Sequence, residues 1–574
     1  MAKTTVEIGT WSKGINNSVR SHALPHGTKD APGWACADAL NIDFTDEGHA
    51  LSRSGYSHTT VMDNGHSLAT VGDKTLVCQN GELGVITALD SLTITTLRTG
   101  LPTTPISYAG LGGEVWWSNG TQSGRCNADN TDSPWCVPTP ANIPSVSSGV
   151  GTMPAGKYRV AITHVLSSGE ESAASAIASY TLAFPGSLAI TLPAAAAGTN
   201  YFRIYATIAD GTLLQHYSDV PAASPSATIT AAPAGIGLGD RAFLVPLPAG
   251  DILAFHNGRL LSASGSTLSY SATYNFGLYD PLQGRITLPG TISIVAPCEG
   301  GVFIAADKTY FYAGNDIAES VVSEVLPYGG IKGTMFRHPN EKAVGWMGDN
   351  GFVIGRPDGS VKLPQQDRGF IPPRAATGST WVRVRDGMIH LVCSLDSSAA
   401  YNKEVSSDFT TARVRYDDDS TTVVMNIANG ATSRYSNWYF NSTARIFGDE
   451  YGVDSVGLRK LEGASDDGTA IISVLDCGSV GFDSLQIKAP EVIYVAGKSS
   501  APMVVDVVLP DGSIYGYPAR SYSDDKPDVQ RHDGMKGLMN LRQNWFTLVL
   551  RNDEGSTFDV SGVVALVGGS KRKI

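Results

Sequence analysis

Three acidic clusters, Asp417-Asp418-Asp419, Asp466-Asp467 and Asp524-Asp525, are the groups in this 574-residue chain that come nearest to general acid-base chemistry or calcium binding. A glycosidase needs two carboxylates set across a scissile bond, and a calcium loop needs oxygen ligands at the spacing D-x-[DN]-x-[DN]-G. None of the clusters has that spacing. All sit among Ser, Thr, Gly or Lys, as solvated loop tips do. Cys126 and Cys136 bracket the polar loop NADNTDSPW, where a bridge or a shared metal is one reading and two separate thiols the other. The seven cysteines are odd in number, scattered and without a C-x-x-C pair, which fits reduced thiols buried as small hydrophobes. His22 and His26 stand at i, i+4 but flank Pro25, so no helical face presents them together to zinc. A sialidase Asp-box has one degraded counterpart, Asp553-Glu-Gly555-Ser-Thr557-Phe558, which lacks the leading Ser and the Trp. The expectation is a protein that is not an enzyme and has no catalytic, metal or cofactor site.

The elements that would position any site are hairpins. The stretch 251–364 shows one pattern three times, in ILAFHNGRLLSAS (252–264), IVAPCEGGVFIAA (294–306) and AVGWMGDNGFVIG (343–355). Each sets Asn-Gly or Gly-Gly between runs of β-branched and aromatic residues, and such turns favour the positive φ of a two-residue hairpin loop. Further copies are SLATVGDKTLVCQNG (67–81), ISYAGLGGEVWWSNG (106–120), TWVRVRDGMIHLVCS (380–394) and TTVVMNIANGATSRY (421–435). From turn to turn (Asp73, Gly112, Asn257, Gly300, Asn350, Asp386, Asn429) the steps are 39, 145, 43, 50, 36 and 43 residues. Five match the roughly 40–50 residues of a four-stranded propeller blade, and the sixth exceeds one blade by about one small domain. The pattern predicts an all-β fold, a β-propeller with an insertion. A β-sandwich or a row of unrelated β-domains is the alternative.

Five segments follow: residues 1–66, an irregular segment joining the propeller; 67–144, its first part; 145–236, an inserted immunoglobulin/fibronectin-like sandwich; 237–435, the second part; and 436–574, a C-terminal β-domain ending in KRKI. The insert is set off by the Pro/Thr/Ser run LPTTP, VPTP and NIPSVSSG. Its short strands of period 2, among them Tyr158-Arg-Val160 and Tyr201-Phe202-Arg-Ile204-Tyr205, lie between Ser-Gly, Pro-Gly and Asp-Gly turns, without any cysteine. KRKI reads as a solvated terminus.

Gly 63, Pro 30 and the scarcity of helical periodicity agree with many turns and few helices. No apolar run approaches 18 residues, and MAKTTVEIGTWSKG lacks a signal peptide's apolar core, so neither a membrane span nor export is expected. A net charge of −12 opposes a grip on nucleic acid, which needs clustered Lys and Arg.

The opening segment carries Trp11-Ser-Lys-Gly14-Ile-Asn-Asn17, then Ala39-Leu-Asn-Ile-Asp43, Gly48 and Leu51-Ser-Arg-Ser-Gly55-Tyr56. This order resembles the start of tail nozzle proteins (tail tubular protein B) of short-tailed bacteriophages; residues 145–236 have no match to that family's core. The resemblance implies a structural virion protein without cofactors, assembled in the bacterial host cytoplasm and residing in the virion tail. It implies a homo-oligomeric ring, a hexamer, attached below the portal and adaptor proteins and next to tail fibres or a needle. The ring's channel would conduct DNA during genome ejection without binding it specifically. A carbohydrate-binding or carbohydrate-cleaving propeller, depolymerase or sialidase-like, is the alternative. A receptor-binding fibre is a third reading, weakened by the absence of a repetitive shaft.

Overall fold

The computed structural model describes residues 3–25, 33–89, 92–396, 422–481, 486–501, 503–519, 531–536, 543–552 and 555–573. The clusters 417–419 and 524–525, His26, and residues 553 and 554 lie outside the described residues. Among the described residues there is no α-helix, only short 3-10 turns between strands, and no helix is long and apolar enough to cross a membrane. The chain divides into two units, residues 1–103, 298–313 and 322–574, and residues 104–297 and 314–321.

The first unit is built from antiparallel meanders in which consecutive strands pair with their neighbours, the topology of propeller blades. One runs through His66–Val71, Lys74–Gln79, Glu82–Ala88 and Thr93–Arg98. Another runs through Phe336–Arg337, Val344–Gly348, Gly351–Gly355 and Val361–Lys362. A third joins Thr377–Arg385, Met388–Asp396, Thr422–Asn426 and Thr432–Tyr435. A fourth is made of Ser442–Ile446, Asp449–Val453 and Gly457–Lys460, and its outer strand is Ser57–Val61, from the other end of the chain. Gly457 pairs with Val61, so an early strand completes a late sheet. That sheet lies beyond residue 435, where the change of strand rhythm predicts a separate terminal domain. The hairpin at 442–453 is hard to see because its turn is Phe447-Gly448, with an aromatic side chain at φ +49 where Asn or Gly usually stands.

The opening segment, expected to be irregular, is instead built into the sheets. It contributes strands Lys3–Gly9, Asp38–Leu40, Ile42–Phe44 and Ala50–Ser52, tied to distant parts of the chain. Lys3–Gly9 lies against Phe558–Lys573. Asp38–Leu40 is inserted between Thr432–Tyr435 and Val474–Gly481, and thereby fuses the third meander to the strands Trp545–Arg551, Met503–Val508 and Ile514–Ala519 in one nine-stranded sheet. Residues 571–573 of the terminal KRKI continue the last strand. A single buried cluster, including Trp11, Ile42, Phe44, Phe352, Leu391 and Phe546, joins these pieces.

In the second unit, Ser107–Leu111, Glu114–Ser118, Ser123–Cys126 and Asp132–Ser133 form one meander; Ile252–His256, Arg259–Ser264, Thr267–Tyr270 and Arg285–Thr287 form another. The Asn257-Gly258 turn has φ +40 and +80, the left-handed pair its sequence predicts. Residues 145–229 form a three-stranded and a four-stranded antiparallel sheet. Tyr158, Ile162, Leu188, Ile190, Phe202 and Ile229, drawn from both sheets, share one buried cluster. This segment is fixed to its surroundings. Arg125 donates to both Glu170 carboxylate oxygens, at 2.7 and 3.2 Å, and His164 Nδ1 lies 2.7 Å from the Pro138 carbonyl oxygen. Arg241 Nη1 donates to the Glu171 carbonyl oxygen at 2.9 Å, tying down the exit from the insert.

Candidate functional site: a buried polar junction

Five motif residues of the opening segment, Asn41, Asp43, Arg53, Gly55 and Tyr56, converge on one charged cluster in the first unit. Asn41, held at φ +55, is its hub. Its side-chain oxygen accepts from Arg53 Nε at 2.8 Å and from the Ser436 N–H at 2.9 Å. Its Nδ2 donates to Ser436 Oγ at 2.8 Å and to the Ile472 carbonyl at 2.7 Å. A short polar side chain that tolerates the left-handed region and offers both donor and acceptor fits this position.

Arg53 is 2% exposed and its guanidinium is saturated. Besides Asn41, Nη1 donates to Asp466 Oδ1 at 2.8 Å and to the Ser54 carbonyl, and Nη2 donates to Asp466 Oδ2 at 2.5 Å and to the Ser436 carbonyl. The guanidinium carbon also lies 5.2 Å from the Tyr435 ring centre and 5.3 Å from that of Trp438. Tyr56, at the end of the motif, packs edge-on against Trp438 and Phe440 at 6.0 and 5.2 Å. Between them Gly55 approaches residue 465 so closely that a Cβ would lie 2.0 Å from the Ser465 carbonyl oxygen.

Asp43 faces a second arginine. Arg383 Nη2 and the Tyr435 hydroxyl both donate to its carboxylate. Burial pushes the Asp43 carboxyl upward, but Arg383, His390 and the Tyr435 hydrogen bond outweigh it and bring the pKa down to about 2. His390 stands directly across the sheet from Arg383 and donates through Nε2 to the Phe44 carbonyl at 2.9 Å. Burial lowers its pKa, with Asp43 opposing, so the ring is held neutral. Its Nδ1 has no partner among the described residues.

The sequence separates these groups by hundreds of residues, and five of the eight stood out there. Asn41, Asp43, Arg53, Gly55 and Tyr56 belong to the motifs; Arg383, His390 and Tyr435 do not. The available signal was the cross-strand pair Arg383 and His390, facing positions of one hairpin where a buried arginine needs an anionic partner and the ring opposite stays neutral. Asp466 corrects the expectation of a solvated loop tip, while Asp467 beside it is exposed. Asp466 is 3% exposed and bound to Arg53; Asp467 accepts from the His58 N–H at 2.9 Å and from Arg459. Cys126 and Cys136 are free thiols, the first buried and the second half-buried, and burial raises Cys136 to about 11. His22 lies in a 3-10 turn, Ser21–Ala23. Among the described residues no three His, Cys, Asp or Glu groups are arranged to hold a metal.

With Asp43, Arg53 and Asp466 closed to solvent, this junction acts as a clamp that holds residues 39–56 against residues 383–390, 435–440 and 463–472. No family model matches the chain, and no curated protein matches it. Among solved structures it is similar to the computationally designed Ika8 protein, at 9% identity and a TM-score of 0.31, over 71% of this chain and 98% of that one. It is also similar to the Swd1 β-propeller domain of Myceliophteria thermophila, at 10% identity and a TM-score of 0.24, over 59% of this chain and 96% of that one. A third similarity is to BBS1N in complex with ARL6DN, at 12% identity and a TM-score of 0.24, over 60% of this chain and 94% of that one.

Proposed function

We propose that the chain is a structural virion protein, a tail nozzle subunit that forms a ring below the portal and adaptor and conducts DNA during ejection. One observation supports this reading above others. Ala39–Asp43 and Leu51–Tyr56, which carry part of the resemblance, are used in a sealed clamp between residues 39–56 and residues 383–472. Their role here is architectural, which suits a subunit whose work is mechanical. A ring that withstands internal pressure needs its chain ends secured, and charge pairs buried on both sides resist opening because separating them leaves an unpaired charge.

Residues 145–236 are read as an immunoglobulin/fibronectin-like insert. The four-stranded sheet order Ala178–Leu182, Gly156–Leu166, Thr199–Ala206, Gln215–Pro221 suits that fold, in which strands are divided between two packed sheets. The net charge of −12 agrees with a channel that lets a duplex pass without holding it.

The reading is tested by two assays on the purified protein. Duplex DNA at moderate salt is expected not to be retained, and capsular or sialylated glycans are expected not to be hydrolysed. Tight, salt-sensitive DNA binding, or glycan turnover abolished by a single Asp or Glu substitution, contradicts it.

A further inference from the structure

Two of the free cysteines meet where the opening segment lies against the strand Val474–Gly481. Asp38–Leu40 runs antiparallel to that strand, with Asp38 opposite Asp476 and Ala39 opposite Leu475. The Ala37 N–H donates to the Asp476 carbonyl at 2.8 Å, so residues 37 and 38 together oppose Asp476 and form a bulge. One position further out, Cys36 stands opposite Cys477. The burial pattern agrees with this register. Cys36 and Cys477 belong to the large apolar cluster of the first unit, at 0% and 5% exposure. Ala35 and Ala37, on either side of Cys36, pack with Leu24 in a separate cluster.

The backbone of Cys36 is bonded away from Cys477. Cys36 pairs with Ile15 on its other side, and its carbonyl accepts from the Asn16 N–H at 2.9 Å. A facing antiparallel pair without ladder hydrogen bonds of its own brings its Cα atoms to about 4.5 Å, within the roughly 4.4–6.8 Å that a disulfide spans. Cys393 lies in the same cluster but stands between Thr380 and Val423 on neighbouring strands. The charged groups beside the pair are Asp38, bound to Arg434 at 2.7 Å, and Asp476, which accepts from the Gly478 N–H at 2.9 Å. Burial above all, then Asp38 and Cys477, push the Cys36 thiol well above its ordinary value, and burial with Asp476 does the same at Cys477. Such thiols are poor nucleophiles while the fold is closed, which leaves a bond to each other as the chemistry their placement offers.

We propose that Cys36 and Cys477 are a latent disulfide, which closes under oxidising conditions and locks the opening segment to the strand Val474–Gly481. A small disulfide such as oxidised glutathione is the oxidant. One cysteine thiolate attacks it, forming a mixed disulfide and releasing one glutathione thiolate; the second cysteine thiolate then attacks the protein sulfur of the mixed disulfide and expels the other glutathione. Two electrons pass from the cysteines to glutathione, and the two thiol protons end on the two glutathione thiolates. Because both sulfurs are buried, the first attack requires residues 35–40 to part locally from residues 474–477, and the closed bond is then shielded from reductant. In a reducing compartment the pair stays as two thiols. The bond closes a loop of most of the chain and thereby restricts the unfolded state. The site does not depend on the nozzle reading.

The test exposes the reduced full chain to glutathione buffers of increasing oxidised fraction, in one arm folded in sub-denaturing urea and in the other during refolding, and maps crosslinks by mass spectrometry without reduction. A Cys36–Cys477 crosslink is expected, with an upward shift of the urea midpoint that dithiothreitol reverses. Cys36→Ala and Cys477→Ala are each expected to abolish the crosslink and the shift, and Cys393→Ala to leave both in place. Absence of the Cys36–Cys477 crosslink in both arms, a crosslink of either cysteine to a different one, or a crosslink that leaves the urea midpoint unmoved or lower would overturn the proposal.

Discussion

Arg53 and Asp466 stand 413 residues apart in sequence and 2.8 Å apart in the fold, Nη1 to Oδ1, with both side chains closed to solvent. Removing one member of such a pair strands the other as a buried charge. Arg53→Ala or Asp466→Ala should therefore cost about 3–5 kcal/mol in denaturant unfolding. Asp467→Ala, one residue on, loses a more exposed partner of Arg459 and is expected to leave the unfolding midpoint nearly unchanged. Equal effects from Asp466→Ala and Asp467→Ala would deny the clamp its role.

The second arginine of the junction sets an acid response. Asp43 has a folded pKa of about 2, below its ordinary 3.8, so its contribution is complete above that ordinary value and is lost as pH falls toward 2. His390 is also lowered from 6.5, but as a base. Above pH 6.5 it is neutral in both folded and unfolded chain and adds no slope; below 6.5 the unfolded chain binds the proton more readily, and stability falls. Unfolding midpoints should decline gently below pH 6.5 and steeply near pH 4 to 2. His390→Gln should flatten the upper part of the curve and Asp43→Asn the lower part, while lowering stability at neutral pH.

Gly55 and Gly72 separate steric demand from backbone preference. Gly72 has φ +64 but open space where a Cβ would stand, so Gly72→Ala should cost about 1 kcal/mol. Gly55→Ala drives a methyl group into the Ser465 carbonyl and should abolish soluble folded protein or lower the melting temperature far more. Comparable melting curves for the two variants would contradict this packing.

The insert has its own core, yet Leu238 packs with Leu214, Ala161 and Tyr205 at its exit. Replacing 145–236 with a Gly/Ser linker should leave folded β-structure with a lower melting temperature, since uncovering Leu238 costs about 1–2 kcal/mol and the Arg125–Glu170 pair is lost. An insoluble product would mean that the segment belongs to a shared core.

Cys136 offers a simple chemical check. Burial raises its pKa to about 11, so little thiolate exists at pH 8. Labelling by a thiol reagent should be slow until the protein is unfolded; rapid labelling of Cys136 in the native state would refute the packing around it.

The hairpins were legible wherever the turn itself demanded special residues. Asn257-Gly258, Gly112-Gly113 and Asp386-Gly387 all take positive φ, and their sequences show it. Phe447-Gly448 hid its hairpin because a bulky side chain occupies a left-handed position. The pairing of Ser57–Val61 with Gly457–Lys460 left no local trace, since strands about 400 residues apart carry the same alternation whichever partner they meet. Asp466 and Asp467 show why charge alone did not reveal the junction. The same two letters include one carboxylate sealed against Arg53 and one at the surface, and only the tertiary position of the arginine separates them.

The nozzle reading is tested most directly by electron microscopy of the purified chain mixed with a portal–adaptor complex. The account predicts rings of this chain stacked below the adaptor, with the Arg53→Ala variant failing to form them. A chain that stays monomeric and unattached in that mixture, with the Arg53–Asp466 clamp intact, would contradict it.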